Sequence, residues 1–195
     1  MVAELSQRRN HLATIREGNK AALVVVDVQV GVMSGAWDAS RVVDKVSFVV
    51  ERARAAGVPV VWVQHSDEQL VRESPQWQWV PKLVPREIEL RVHKQFNSSF
   101  EQTSLEGELA TLVVTHIVLA GAATNWCIRA TAYGALERGY DVTLVSDAHT
   151  TETMQLESGV KIEAEHVNQE LNIAMQWPAY PGRKNGTASA EQVQF

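Results

Sequence analysis

Apolar positions dominate the first patterned stretch of the chain. Ala21 to Gln29 (AALVVVDVQ) is nearly continuous in hydrophobic residues up to Asp27, the pattern of a strand buried on both faces of a parallel sheet. From Ala39 to Gly57 the period changes. Val42, Val46, Val49, Val50 and Ala53 fall on one helical stripe, and Gly57 supplies a stop. Val58 to Gln64 (VPVVWVQ) returns to a strand, with Pro59 at its start, where a missing N–H is tolerated. Residues 67–87 lose periodicity and carry Pro75, Pro81 and Pro85 together with Trp77 and Trp79. So long an irregular segment predicts a surface excursion, and its aromatics argue for a function rather than a disordered linker. Ile88 to Lys94 alternates as a short strand. Thr103 to Leu112 predicts a helix opened by Thr103 and Glu106 in capping-box spacing.

The second half is more regular. Thr115 to Gly121 predicts a strand, Thr124 to Gly139 a helix and Tyr140 to Ala148 another strand, a βαβ unit that is right-handed in nearly all proteins. Ile162 to Trp177 predicts an amphipathic helix with Ala164, Val167, Leu171, Ala174 and Met175 on one face. From Pro178 onward periodicity stops, which predicts a tail that is disordered or strapped onto a partner subunit. The polar residues 1–18, with Arg8, Arg9 and Arg16, predict an arm or short helix outside the core. The order of elements specifies one α/β domain over residues 19–177, a mostly parallel sheet covered by helices on both sides, between that arm and a tail over residues 178–195.

Composition narrows the function class. A chain of 195 residues, 45% hydrophobic and 21% charged, is the size and balance of one globular domain. Its net charge of -5 and the lack of a Lys/Arg cluster argue against a nucleic-acid partner. No apolar run approaches the ~20 residues that span a bilayer, and the N-terminal stretch is too polar for a secretory signal. A single cysteine, Cys127, precludes an internal disulfide and a cysteine-based zinc cage, and it favours a reducing, cytoplasmic compartment.

In open α/β sheets the ligand crevice lies beyond the carboxyl ends of the strands. Three ionisable residues are expected at that edge: Asp27 at the end of the first strand, Lys94 at the end of the strand after the excursion, and Cys127 in the first turn of the Thr124 helix. A helix N-terminus and a nearby cation lower a thiol pKa, so Cys127 is expected to be acidified, with Lys94 as the cation and Asp27 as the proton acceptor. The same backbone N–H groups suit a developing oxyanion, and acid, amine and thiol together suit nucleophilic acyl transfer. Each residue also has a plainer role open to it: Cys127 as an inert buried side chain, Asp27 as a turn former, Lys94 as a solvated strand end. Two other function classes are weighed. A nucleotide- or flavin-binding protein needs a Gly-rich phosphate loop, and DVQVGVMSGAW contains neither G-x-G-x-x-G nor a Walker lysine. A non-catalytic thiol sensor or scaffold would leave Asp27 and Lys94 without a role.

VVVDVQ, HKQFNSSF and GAATNWCIRATAYGALERGYDVTLVSDA resemble the isochorismatase-like cysteine hydrolase superfamily over about residues 20–177. Its pattern has an Asp closing the first strand, a Lys before a short SxF-type segment, and a GxxTxxCVxxTAxxAxxxGYxVxxVxDA stretch that holds the nucleophile; Ile128 stands where Val is usual. The resemblance implies a six-stranded parallel sheet in a three-layer α/β/α domain and a catalytic triad of Asp27, Lys94 and Cys127. It also implies a cis peptide at Ala122–Ala123 that directs the Ala123 N–H, with that of Cys127, into an oxyanion hole. Relatives of this type include nicotinamidases, N-carbamoylsarcosine-type amidases, ureide and biuret hydrolases and streptothricin-type hydrolases. Isochorismatases proper lack the nucleophilic cysteine, so Cys127 implies cleavage of a C–N bond in a small amide through a thioester, without a cofactor.

Nicotinamidases carry an Asp-x-His metal motif after the second strand. Here the order is reversed, His65-Ser66-Asp67, and no metal is expected. Candidate substrate contacts are Gln29, His65, Trp77, Trp79, Asn97, Ser99 and Trp126. Gln29 is equally able to cap a turn, Ser99 to cap the following helix, and Trp126 to pack at a subunit interface. His149 reads as a loop residue. Trp177 and Tyr180 in the unattached tail, and the habit of the superfamily, lead to an expected homodimer or homotetramer.

Overall fold

The computed structural model describes residues 15, 16 and 18–195. The expected arm over residues 1–18 lies almost wholly outside the described residues. Six strands form one parallel sheet: β1 (Lys20–Val26), β2 (Val60–His65), β3 (Leu90–Lys94), β4 (Val114–Ala122), β5 (Asp141–Thr150) and β8 (Asn185–Ala188). Their spatial order is β3-β2-β1-β4-β5-β8. The helices are α1 (Val30–Met33), α2 (Ala39–Ala55), α3 (Leu105–Thr111), α4 (Arg129–Glu137) and α5 (Ala164–Ala174). A two-stranded hairpin of β6 (Met154–Gln155) and β7 (Lys161–Ile162) stands apart.

Alternation along the strands builds two cores. Ala22, Val24 and Val26 of β1, with Ile117 and Leu119 of β4, face α3, α4 and α5 through Leu105, Leu109, Ala132, Leu136 and Leu171. Leu23 and Val25, with Trp62 and Val118, face α2 through Val42, Val46, Val49, Val50 and Ala53. Strands buried on both sides need apolar residues at every position, and this is why β1 reads as an unbroken run. Each such side chain contributes about 1.5–3 kcal/mol by leaving water.

Several expectations are corrected. Residues 178–195 are not a detached tail: β8 pairs in parallel with β5 from Val142↔Asn185 to Val145↔Ala188, and Ala190 and Val193 are buried in the α2-side core. Arg52 of α2 holds this segment by donating to the Ala190 and Val193 carbonyls at 2.6 and 2.9 Å. The sixth strand escaped the sequence reading because NGTA at a sheet edge carries no apolar alternation. The capping box is not formed either. Helix α3 starts after Ser104, Thr103 Oγ1 instead donates to the Ser99 carbonyl at 2.6 Å, and Glu106 pairs with Arg16 and Arg138. The helix expected from Thr124 opens as a π-turn, Thr124–Ile128, before α4 begins. On α5 the buried face carries Asn168, while Val167 is only partly covered.

Candidate functional site

The chain winds outward from β1 to β3 and then returns to the other side of β1 with β4, so the topological switch point lies between β1 and β4. Asp27 follows β1 directly with φ of 52°, a left-handed conformation that Asp tolerates better than most residues. Gly121 of β4 makes that exit possible. A Cβ there would fall 2.0 Å from the Val26 carbonyl oxygen, so the two backbones approach as only glycine allows. Lys94 ends β3, and Cys127 lies in the π-turn that follows β4.

These elements bring Asp27, Lys94 and Cys127 together. Lys94 Nζ is 2.7 Å from Asp27 Oδ2 and donates to Cys127 Sγ at 3.1 Å. The same ammonium lies 3.3 Å from His65 Nδ1, which can only accept from it. With Nδ1 accepting, the His65 proton sits on Nε2 and is donated to Asp67 Oδ2 at 3.0 Å. Asp67 in turn accepts from the Gln69 and Leu70 amides at 2.8 and 2.6 Å. The trio is nearly sealed: Asp27 is 1%, Lys94 2% and Cys127 9% exposed.

Burial sets the proton affinities. It raises the Asp27 carboxyl above its ordinary value, and the Lys94 charge offsets only part of that. Burial alone would lower Lys94, but the neighbouring Asp27 and Cys127 outweigh it and hold the ammonium above its usual value. The Cys127 thiol is pushed up to about 12, first by burial and then by the Asp27 charge, against the opposing pull of Lys94. The expectation of a thiol acidified by a helix terminus is therefore corrected. The amides of Trp126 and Ile128 bond to the Ala123 carbonyl, each at 3.1 Å, instead of pointing at the sulfur. At neutral pH the resting thiol is protonated. The carboxylate beside it receives no well-aligned hydrogen bond from a described residue, the Lys94 contact being an ion pair, and it keeps lone pairs free.

The peptide bond between Ala122 and Ala123 is cis. The Ala123 carbonyl serves the π-turn, whereas its N–H meets no backbone acceptor among the described residues. A buried polar cluster fixes this turn. Thr124 Oγ1 donates to Asn168 Oδ1 at 2.6 Å and lies 2.9 Å from His149 Nδ1, and Asn168 Nδ2 donates to the His149 carbonyl at 3.3 Å. Burial lowers His149 to about 4, so it is neutral at pH 7, and it is a core residue of β5 rather than the loop residue expected. Sequence reasoning missed Asn168; its signal was a polar residue interrupting the inward face of α5.

A family model of the isochorismatase domain matches residues 21–171. The chain belongs to the isochorismatase family. A streptothricin hydrolase from Streptomyces noursei is 36% identical over 146 residues, a match covering 71% of this chain. The chain spans only 58% of that relative's own length. The crystal structure of an isochorismatase from Pseudomonas putida KT2440 has a TM-score of 0.79 at 24% identity, covering 90% of this chain and 92% of that one. The N-carbamoylsarcosine amidase of Thermoplasma acidophilum has a TM-score of 0.71 at 23% identity, covering 91% and 100%. These two structures share the fold.

The remaining candidates of this isochorismatase-family chain separate into two groups. Gln29 is fully buried and spent: its Nε2 donates to the His65 and Trp77 carbonyls at 3.0 and 2.8 Å and its Oε1 accepts the His65 N–H at 3.0 Å. Ser99 is likewise fully buried, with its N–H and hydroxyl on Thr131 Oγ1 at 3.0 and 2.8 Å. Both side chains are thus engaged inside the protein, tying segments together, rather than placed at an open surface. Trp79 packs edge-on against Trp62 at 5.2 Å between centroids, and Trp77 stacks on His93 at 5.6 Å. Asn97 is exposed beyond β3. Trp126 is half exposed and lines a cavity of about 220 Å³ with Ala122 and Ala123. A second cavity, of about 710 Å³, opens on the other flank, lined by Asp67, Arg72, His93, Lys94 and Phe96. Among the described residues no group of three potential metal ligands occurs, and no helix is long and apolar enough to cross a membrane.

Proposed function

We propose that this chain is a cysteine hydrolase that cleaves the C–N bond of a small amide, ureide or lactam, with Cys127 as nucleophile, Asp27 as proton carrier and Lys94 as the cation between them. One observation carries the reading: a single buried ammonium lies 2.7 Å from a carboxylate and 3.1 Å from the thiol. A protonated thiol beside an underused carboxylate is activated on demand. As the substrate carbonyl approaches, Asp27 takes the thiol proton, and sulfur bonds to the carbonyl carbon while Lys94 stays cationic. The N–H groups of Ala123 and Cys127 receive the oxyanion; such donors are worth about 3–4 kcal/mol each where measured. Collapse breaks the C–N bond, and the proton passes from Asp27 to the departing nitrogen. Water then attacks the thioester, giving one proton to Asp27, and release of the acid returns that proton to the sulfur. Similarity to a streptothricin hydrolase supports an amide-type substrate.

The test is release of ammonia or amine from a panel of small amides, ureides and lactams, with Cys127→Ser beside the wild type. Release by the wild type alone is the expected result. Equal release by both would remove Cys127 as nucleophile. Reversible oxidation of Cys127 with no turnover on any compound would favour a thiol sensor instead.

A further inference from the structure

The cavity beside Ala123 contains an acid that the mechanism does not use. Glu152, just past β5, is its single ionisable wall residue among the described residues. Glu152 is exposed at the cavity mouth, and among the described residues its carboxylate has neither a hydrogen bond nor an ion pair, while the neighbouring acid Glu163 is engaged by Lys161 and Thr153. One Glu152 oxygen hangs over Gly35, 3.3 Å from where a Cβ would stand, so the missing side chain at residue 35 leaves room for the carboxylate. Trp126, a half-exposed indole one residue before Cys127, lines the same cavity. Thr151 of the wall is held from two sides: Trp37 N–H donates to its carbonyl at 2.8 Å, and its Oγ1 donates to Asn125 Oδ1 at 2.6 Å. At about 220 Å³ the space holds roughly seven water-sized groups, enough for a short acyl or amine fragment.

We infer that this cavity is a cation subsite, in which an ammonium or guanidinium group on the amide substrate sits between the Glu152 carboxylate and the Trp126 ring. A carboxylate facing an aromatic surface is the usual setting for an organic cation. An anion there would meet uncompensated negative charge, and a neutral group would gain no ion pair. The inference rests on the hydrolase reading and adds the chemical class of its substrate.

Three amides of similar size test it: β-alaninamide, butyramide and succinamate, which place an ammonium, a methyl and a carboxylate at the same end. The wild type is expected to prefer β-alaninamide. In Glu152→Gln the ratio of kcat/KM for β-alaninamide over that for butyramide falls about two- to fivefold, through KM, as expected for an ion pair on an exposed carboxylate. Trp126→Leu lowers the same ratio, and Trp126→Phe restores most of it. An unchanged ratio in Glu152→Gln, or no wild-type preference for the ammonium, overturns the subsite while leaving the hydrolase intact.

If the wild type turns over none of the three, protection of Cys127 against iodoacetamide decides the question without turnover. Protection by propylammonium that exceeds that by propanol or propionate, and that weakens in Glu152→Gln, supports the subsite even though the hydrolase reading then stands in question. Equal protection by all three, or by none, overturns it.

Discussion

Replacing Lys94 by Met tests whether the Asp27–Lys94 pair is desolvated. Met keeps the length and the apolar stem and removes the ammonium, so Asp27 is left 1% exposed with no cation 2.7 Å away. Breaking one side of a buried pair costs about 3–5 kcal/mol, because the surviving charge stays buried and unpaired. Removing both charges should recover much of this. Asn is the right second change, since it accepts the left-handed φ of 52° at position 27 about as readily as Asp. The double variant Asp27→Asn/Lys94→Met is then left with unsatisfied polar groups alone, about 1–3 kcal/mol.

The difference has a pH signature. Burial already holds the Asp27 carboxyl above its ordinary value, and losing Lys94 raises it further. A carboxyl raised in the folded state binds more protons folded than unfolded, so the stability of Lys94→Met falls as pH climbs above about 4 and levels off once Asp27 is ionised. The double variant lacks that slope. Urea unfolding followed by tryptophan fluorescence at pH 5 to 8 measures both effects. Equal losses in the single and double variants, or parallel pH curves, would mean that solvent reaches the pair and that the electrostatic account of the site is wrong.

Three further outcomes are expected. Alkylation of Cys127 by iodoacetamide should rise about tenfold per pH unit from pH 7 to 10 without levelling, because the thiol is held near 12; a plateau below pH 8 would contradict this. Gly121→Ala should cost more than about 4 kcal/mol by thermal unfolding, since the new methyl would meet the Val26 carbonyl at 2.0 Å and φ is 127°; a change under 1 kcal/mol would show that the strands can separate there. Arg52→Ala frees two carbonyls of the C-terminal segment, so hydrogen exchange in residues 185–193 should speed up at least tenfold while that of β1 stays constant.

Much of the fold was written locally. A strand with both faces covered must be apolar at every position, and a helix on a sheet must repeat its apolar residues every three to four. The run from Ala21 and the valine stripe of α2 therefore announced themselves, and all five predicted α2 positions are buried. The order of elements and the switch-point rule suffice to place Asp27, Lys94 and Cys127 at one edge. Edge strand β8 had no such pattern, because its pairing comes from β5 and its anchoring from Arg52. Tertiary packing also decided the charge states: the thiol is protonated because burial and a carboxylate outweigh one cation, and no count along the chain reveals how dry a site is. Gln29 and Ser99 tie segments together for the same reason, their polar groups being claimed by neighbours distant in sequence. Sequence period determines which way a residue faces; what it meets there depends on segments that only the folded chain brings together.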